Sequence, residues 1–298
     1  MGVGRSAAGT LNQGAVFRRA VNSAMVSRFY VAWPGSKRQE IHHIDAVVDW
    51  GSFDSVVEPF AGSAALSLEL HARGLDKQYV VNDTDPNLVA LYRYAAEHGS
   101  APLYDYCRAR LTAEEFDRHH GRPPQSVEEY FYTKRVPGAF GRAKTPPPKW
   151  PSLTHGTCQL AADRFFGRAR ITEGDWRTCV DEHKDDPRAL IFLDPPYFDS
   201  FNQAYYGLDG SRRQADGSLL DLTGMFVEML HYLETAQATV VVITSGCALL
   251  DHVFAPFIKS SHIKRYSRSS TRPDTDGKMR KTPTRHTVLL GGRAGAGE

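Results

Sequence analysis

The chain has 298 residues, of which 41% are hydrophobic and 23% are charged, and its formal net charge is +2. This composition excludes a wholly disordered or fibrous protein, and the length predicts one large domain or a domain with an additional lobe. Taken alone, the near-neutral charge argues against a nucleic-acid partner.

The cysteines and the hydropathy pattern exclude further classes of protein. Four cysteines lie far apart without a CxxC pair, and no histidines cluster at the spacing of metal ligands. We therefore expect no disulfide framework, no metal and a reducing, cytoplasmic location. No apolar run approaches the roughly 18–20 residues that a membrane span needs, so we expect no membrane partner.

Residues 1–25 contain arginines and small residues but no acidic residue. This composition is typical of a mitochondrial presequence. The alternatives are a disordered tail and an upstream start codon with Met25 as a second candidate start. We treat the segment as a disordered tail and leave it out of the fold prediction.

Two strand–helix units follow one another in the first third of the chain. A β-branched run at 55–57 precedes a glycine turn and good helix formers at 64–70. A second run at 78–81 ends at Asn82-Asp83 and precedes a helical stretch at 88–96. This alternation predicts an α/β fold with a doubly wound, Rossmann-like sheet.

The middle of the chain has a different composition. Prolines break it repeatedly, and aromatic residues are interleaved with lysine and arginine. This composition favours an inserted lobe over further strands. The α/β pattern then returns, with strands at 189–193, 239–243 and 287–290 and a helix at about 219–234. The predicted organisation is a tail at 1–25, an α/β domain at 26–96 and 171–298, and the inserted lobe at 97–170.

Polar residues follow several of the predicted strands, where ligands bind in open α/β sheets. Gly62 lets backbone approach a ligand closely, and the helix amino terminus after it offers free N–H groups to a carboxylate or a phosphate. Asp83 directly follows the second strand, a position from which a carboxylate typically accepts hydrogen bonds from ribose hydroxyls. Asp85 is predicted to cap the helix that Pro86 begins.

Asp194-Pro-Pro-Tyr197 is the most specific motif in the chain. The two prolines remove two backbone donors and keep the chain extended, so the carbonyls and the Asp194 carboxylate form a row of acceptors. Tyr197 adds a flat π face beside that row. This arrangement suits an exocyclic amine of a nucleobase that donates hydrogens while its ring stacks on the tyrosine.

Together these motifs resemble those of the Dam-like (class alpha) DNA adenine-N6 methyltransferases, which depend on S-adenosylmethionine (AdoMet). Trp33-Pro-Gly-Ser-Lys37 resembles the amino-terminal motif of that group, 130–135 its aromatic–arginine element, and Gly174-Asp175-Trp176 its short Gly-Asp-Phe element. The resemblance implies that AdoMet is bound by Trp33, Gly35, Ser36, Lys37, Glu58, Pro59, Phe60, Gly62, Ser63, Asp83, Asp175 and Trp176. The implied catalytic positions are Asp194, Pro195, Pro196 and Tyr197. The resemblance also implies that 26–96 and 171–298 form the AdoMet-binding catalytic domain and that 97–170 forms a mainly helical target-recognition lobe.

The resemblance also implies a mechanism. An adenine is flipped out of the duplex and stacks on Tyr197, while Asp194 and the Pro195 carbonyl accept hydrogens from its N6 amine. The nitrogen then attacks the AdoMet methyl group directly, without a covalent enzyme intermediate and without a strong general base.

Two departures from the family pattern bear on these expectations. Ala64 occupies a position that is usually a second glycine, so the cofactor turn is expected to differ slightly or to bind more weakly. Residues 137–142 and the proline run after them replace the family's Asn- and Gly-rich stretch, so target specificity cannot be carried over.

Basic residues concentrate in the lobe and near the carboxyl end, so the near-neutral net charge conceals a polarised chain. We interpret them as two positive walls that bind double-stranded DNA. The candidate nucleic-acid contacts are Lys134, Arg135, Arg142, Lys144, Arg265, Arg268, Arg272 and Lys281.

Alternatives remain at this point. An RNA adenine or a protein glutamine amide presents a similar amine, although glutamine methylation more often uses Asn in place of Asp194. A catalytically weak DNA-binding relic is supported only by Ala64, and a dinucleotide-dependent oxidoreductase is disfavoured because no GxGxxG is present. The sequence leaves open whether a restriction endonuclease is a partner and whether the protein is a monomer or a weak dimer.

Overall fold

The computed structural model describes residue 33 and residues 37–136, 145–147, 149–196, 221–267 and 281–292. The predicted tail at 1–25 lies outside these residues. In the described part of the chain, no helix has both the length and the hydropathy that a membrane span requires.

A seven-stranded sheet forms the centre of the fold, in the order β3-β2-β1-β4-β5-β7-β6. β1 to β5 are parallel, and β7 and β6 complete the sheet in antiparallel pairing. The apolar runs of β4 and β5 are buried along their whole length, as expected for parallel strands covered on both faces. The strands are β1 (Ser55–Glu58), β2 (Gln78–Asp83), β3 (Arg170–Glu173), β4 (Ala189–Leu193), β5 (Thr239–Ser245), β6 (Ile258–Ser267) and β7 (Lys281–Gly291).

Helices cover both faces of the sheet. Successive residues of β1 point to opposite faces, so Val56 and Val57 belong to two separate core clusters. The first cluster contains α1 to α4, α6 and α7, and the second contains α8 to α10. The described α-helices are α1 (Ile41–Asp45), α2 (Ala65–Ala72), α3 (Pro86–His98), α4 (Ala101–Arg108), α5 (Ala113–His119), α6 (Val127–Arg135), α7 (Thr157–Phe166), α8 (Trp176–Asp181), α9 (Leu222–Thr235) and α10 (Ala248–Val253). Short 3₁₀ turns span Lys37–Glu40, Trp50–Ser52 and Ala255–Phe257.

The strand order places a topological switch point between β1 and β4. From β1 the chain moves outward to β2 and β3, returns to β4 on the other side of β1, and continues to β5. Helices α4 to α7 lie in the long connection between β2 and β3. The predicted α/β doubly wound fold with an inserted helical region is therefore confirmed.

β6 and β7 form a hairpin that extends beyond the rest of the sheet. The last residue of β5, Ser245, pairs with His286, whereas residues 281–285 of β7 pair with β6. Because β5 is parallel to β1 and β4, this extension projects from the edge at which those two strands end. The segment 268–280 that joins β6 to β7 lies outside the described residues.

Sequence patterns missed β3 and β6, for a physical reason. The four residues of β3 are half-buried or exposed, and β6 carries polar residues along most of its length. Neither strand has the continuous apolar run that revealed β4 and β5.

The two core clusters predict that two isoleucines contribute very differently to the free energy of unfolding. Ile191 in β4 is fully buried, whereas the side chain of Ile263 in β6 is 67% exposed. Ile191→Ala should lower the free energy of unfolding by about 2–5 kcal/mol, because it leaves a cavity in the core. The control Ile263→Ala should lower it by less than about 1 kcal/mol. Urea unfolding measures both, and equal losses would contradict the assigned core.

Candidate functional site

The carboxyl ends of three neighbouring parallel strands bring the polar motifs together. Glu58 is the last residue of β1, Asp83 is the last residue of β2, and Asp194 follows β4 directly. β1 pairs with both β2 and β4, so the three carboxylates lie at one edge of the sheet. This edge contains the switch point, where open α/β sheets bind ligands.

The Asp83 carboxylate fastens the glycine turn that follows β1. Its Oδ2 accepts a hydrogen bond from the backbone N–H of Gly62 at 2.9 Å, and its Oδ1 accepts one from the N–H of Asp85 at 3.0 Å. Burial raises the pKa of Asp83 to about 6, against the effect of these two hydrogen bonds. Asp85 caps α3 by accepting from the N–H of Asn87 at 3.0 Å, as its sequence position predicts.

The turn itself has a left-handed backbone at two positions. Gly62 has φ +49°, and the indole of Trp33 packs so closely on it that a Cβ there would lie 2.6 Å from Trp33 Nε1. Ala64 has φ +50° and ψ +39°, and its side chain is fully buried. The departure from the family pattern at Ala64 thus keeps a glycine-like backbone, at a cost of roughly 1–2 kcal/mol. The Tyr92 hydroxyl donates to the Gly62 carbonyl and holds the turn from α3.

Glu58 is buried behind this turn. Its side chain is 2% exposed, and its Oε1 accepts a hydrogen bond from the N–H of Ser67 in the first turn of α2, at 2.8 Å. Burial raises the pKa of Glu58 to about 7, although the hydrogen bonds from Ser67 act in the opposite direction. The nearby charge of Asp194 raises this pKa further.

Lys37 and Asp194 form an ion pair at the centre of the site. The Lys37 ammonium lies 2.6 Å from Oδ1 and 2.7 Å from Oδ2 of Asp194. Lys37 is 3% exposed and Asp194 is 21% exposed, so the pair opens to solvent on the aspartate side. Burial raises the pKa of Asp194, and the adjacent charge of Lys37 lowers it. The family resemblance implies that Lys37 contacts the cofactor and Asp194 the target amine. In the structure the two side chains pair with each other.

The Gly174-Asp175-Trp176 element separates into an exposed and a buried part. Asp175 is exposed, caps α8 by accepting from the N–H of Arg177 at 2.7 Å, and pairs with the Arg177 guanidinium at 3.2 Å. Trp176 is 3% exposed, and its ring stacks on Phe60 with centroids 5.4 Å apart. Its indole N–H is buried and has no hydrogen-bond partner among the described residues.

Asn82 joins the first and third strand-end turns. Its amide donates to the carbonyls of Pro59 and Gly174, each at 3.0 Å, and its Oδ1 accepts from the Thr172 hydroxyl at 3.0 Å. The sequence marked Asn82 as part of a motif, but no local signal indicates that its amide bridges β1 and β3.

Of the predicted DNA contacts, Lys134 and Arg135 face inward in the structure. The Lys134 ammonium lies 4.9 Å from the ring centroids of both Trp33 and Tyr130, and Trp33 packs on the Gly62 turn. The Arg135 guanidinium lies 5.5 Å from the ring centroid of Tyr104 inside the lobe. Both side chains are half-buried.

The remaining site residues divide between the hairpin and segments outside the described part of the chain. Arg265 and Lys281 lie near the ends of β6 and β7, in the extension of the hairpin. Outside the described residues lie Gly35, Ser36, Arg142, Lys144, Tyr197, Arg268 and Arg272.

A buried carboxylate next to this site carried no sequence signal. Glu40 ends the 3₁₀ turn that Lys37 begins, is 1% exposed, and contacts His286 and Lys264 of the hairpin. Residues this far apart in sequence can be paired only once the strands are in register.

Comparisons with known proteins bear on the fold and the chemistry. Residues 33–145 match the family described as D12 class N6 adenine-specific DNA methyltransferase. The chain is 20% identical, over 260 residues, to the type II methyltransferase M.CviBI of Paramecium bursaria Chlorella virus NC1A. That alignment covers 79% of this chain and 90% of the viral protein.

Two solved structures are also similar, at low TM-scores. The putative methyltransferase yhhF of Escherichia coli has a TM-score of 0.28 and 12% identity, and the match covers 86% of this chain and 85% of that one. The rRNA methyltransferase aviRa of Streptomyces viridochromogenes has a TM-score of 0.35 and 14% identity, with coverages of 92% and 94%. The fold assignment rests instead on the strand order.

The family match spans the amino-terminal motif, the glycine turn and the aromatic–arginine element. The viral methyltransferase aligns over most of both chains. Together, the match of residues 33–145 to this family and the similarity to the viral protein support a Dam-like, N6 adenine-specific DNA methyltransferase.

Proposed function

We propose that this protein transfers the methyl group of AdoMet to the N6 amine of an adenine that is flipped out of double-stranded DNA. The observation that carries the proposal is the position of Asp194 and Pro195, which follow β4 directly beside the Gly62 turn of β1. An amine held by Asp194 would face a ligand held by that turn.

The residues present at the turn fit a nucleoside cofactor. The half-buried Asp83 carboxylate suits ribose hydroxyls, and the half-buried ring of Phe60 offers a face to a purine beside Trp176. The Trp176 indole N–H is a buried donor still without a partner among the described residues. The indole of Trp33 packs closely on Gly62. We call the surface formed by the Gly62 turn, Trp33, Phe60 and Asp83 the cradle. AdoMet, when bound, supplies the electrophilic methyl group.

The target amine has to replace Lys37 as the partner of Asp194. Both carboxylate oxygens accept from the Lys37 ammonium, and one of them has to accept an N6 hydrogen instead. Burial raises the pKa of Asp194, while the charge and the hydrogen bond of Lys37 oppose this rise and so favour the ionised carboxylate that accepts from an amine. The Pro195 carbonyl, on a residue without an N–H, adds a second acceptor and no competing donor.

The β6–β7 hairpin supports DNA as the substrate. It projects from the same edge of the sheet as Asp194, and its joining segment contains Arg268 and Arg272. We propose that the hairpin and the lobe contact the phosphate backbone on two sides of the flipped base. The viral relative is named a type II methyltransferase, and we propose that this chain likewise modifies a short site that a restriction endonuclease partner cuts.

The cradle predicts that Gly62 and Gly74 respond differently to the same substitution. Both have positive φ, of +49° and +80°, but a Cβ at Gly62 would clash with Trp33 whereas a Cβ at Gly74 meets nothing within 4 Å. Gly62→Ala should raise the dissociation constant for AdoMet about tenfold or more, because Trp33 has to move. The control Gly74→Ala introduces backbone strain without a steric clash, and it should bind AdoMet as the wild type does. Titration calorimetry measures both constants, and equal effects would contradict the cradle.

We expect substitutions of Asp194 to abolish methyl transfer while AdoMet binding is retained. Wild-type protein incubated with labelled AdoMet and with DNA, RNA or protein should label DNA, and nuclease digestion should release N6-methyladenine. Asp194→Ala and the isosteric Asp194→Asn should lower this rate at least about a hundredfold, because the amine is no longer oriented and polarised. AdoMet binding should change less than about threefold.

Asp54→Ala is the matched control for Asp194, since Asp54 pairs with Arg188 on the surface. It should methylate DNA at the wild-type rate. An active Asp194→Asn enzyme would refute the assignment, and labelled RNA without labelled DNA would replace the substrate class.

The hairpin predicts a change in salt dependence. The double variant Arg268→Ala/Arg272→Ala should weaken DNA binding and reduce the slope of log affinity against log salt by about 2, since each phosphate contact contributes about 0.9. The control Arg168→Ala removes an exposed arginine that precedes β3, at the opposite edge of the sheet, and should leave the slope unchanged. Fluorescence anisotropy over a salt series measures the slopes.

A further inference from the structure

Glu40 is a buried charged residue for which the proposed reaction has no role. It is 1% exposed and ends the 3₁₀ turn Lys37–Glu40, one turn after the residue that pairs with Asp194. Burying a carboxylate costs several kcal/mol unless it is well paired. Its partners therefore indicate what it holds in place.

Among the described residues, Glu40 has ion-pair and hydrogen-bond partners in the β6–β7 hairpin. His286 Nδ1 lies 2.5 Å from Glu40 Oε2, the Lys264 ammonium contacts Oε1, and His262 Nε2 lies 3.5 Å from Oε2. His262 and His286 are directly paired across the two strands. Glu40 thus fastens the amino-terminal 3₁₀ turn to both strands of the hairpin.

The charge of Lys37, in the same 3₁₀ turn, also acts on Glu40. Residues three apart in a 3₁₀ turn lie on the same side of it, so the two side chains emerge together. Burial raises the pKa of Glu40, but the hydrogen bond from His286 and the charge of Lys37, followed by the charges of His286 and Lys264, outweigh it and hold the pKa at about 2. The Lys37 ammonium therefore pairs with Asp194 and also acts electrostatically on a second carboxylate, Glu40.

The same cluster could be considered as a metal site. One ligand atom each from Glu40, His262 and His286 lie within 4.8 Å of one another. The Lys264 ammonium already occupies the other Glu40 oxygen, and the Lys37 charge lies close by. A cation would have to displace one ammonium and approach a second, so the contacts favour an ionic link over a metal centre.

We propose that Glu40 is a positioning residue for methyl transfer. It holds Lys37 beside Asp194 and couples both to the hairpin, so that the strands proposed to carry DNA contacts keep a set relation to the carboxylate that orients the amine. When the N6 amine takes the place of Lys37 on Asp194, Glu40 remains as the counter-charge for the displaced ammonium. This inference rests on the proposed function.

The test compares two substitutions of Glu40 with a matched control. Glu40→Gln keeps the size of the side chain but removes its charge, and should lower kcat at least tenfold while the dissociation constants for AdoMet and DNA change less than threefold. Glu40→Asp keeps the charge and should recover a substantial part of kcat. The control Glu69→Gln removes a carboxylate that is 13% exposed and pairs with Arg73 in α2, and should keep the wild-type kcat.

The pH profile separates positioning from a merely structural role. Burial raises the pKa of Asp194 and the charge of Glu40 raises it further, whereas the charge and the hydrogen bond of Lys37 and the charge of His286 lower it. Asp194 has to be ionised to accept from the amine, so activity is lost as the pH falls through its pKa. In Glu40→Gln that pKa is lower, and the acid limb of kcat should move to lower pH. The limb should stay in place in Glu69→Gln.

A second variant covers the case in which Glu40→Gln does not fold. Lys264→Met removes the ammonium that the hairpin contributes, and it should lower kcat at least threefold without changing AdoMet binding. Its unfolding temperature should lie above the assay temperature, so that the enzyme remains folded in the assay. The inference is overturned if the charge-removing variants keep the wild-type kcat, or if Glu40→Asp is as impaired as Glu40→Gln with an unmoved acid limb. The proposed function fails separately, if wild-type protein forms no N6-methyladenine or Asp194→Asn remains active.

Discussion

The parallel pairing of β1 with β2 on one side and β4 on the other constrains where each part of the site can lie. Parallel strands end at the same edge, so Glu58, Asp83 and Asp194 meet although they are far apart in sequence. The order reverses between β1 and β4, which leaves a crevice at the carboxyl ends of those two strands. The Gly62 turn and the Asp194-Pro195-Pro196 segment form its two sides. The proposed methyl transfer depends on this one topological feature.

Buried charges near the crevice stabilise one another in a chain. Asp194 pairs with Lys37, Lys37 lies beside Glu40, and Glu40 pairs with Lys264 and His286. None of these carboxylates could remain ionised alone in a buried position, because desolvation disfavours the charged form. Glu58 has hydrogen bonds from Ser67 but no adjacent cation among its strongest influences, and its pKa is accordingly raised to about 7. Burial raises the pKa of Asp194 as well, but there the charge and the hydrogen bond of Lys37 oppose the rise and favour the ionised form.

The turn at Gly62 shows that a departure from a motif need not change the geometry. Ala64 adopts the left-handed conformation that a glycine would adopt without strain. The surrounding contacts hold it there, since Tyr92 bonds the Gly62 carbonyl and Asp83 bonds the Gly62 N–H. The strain is of the size that a few such hydrogen bonds can offset. The residue type at position 64 therefore carries less information about the conformation of this turn than the contacts around it.

Local sequence patterns are enough to establish the α/β class, the apolar strands and the polar motifs that follow them. A continuous apolar run identifies β4, and a glycine after β1 predicts a tight turn whatever surrounds it. The folded structure was needed to show that Lys37 pairs with Asp194, 157 residues away, and that Glu40 pairs with His286, 246 residues away. It also turned Lys134 toward Trp33 and revealed β3 and β6, whose polar residues resemble loops until they are paired with neighbours. Hydropathy is encoded along the chain, whereas the partner of a buried charge depends on strand order and register, which no local pattern contains.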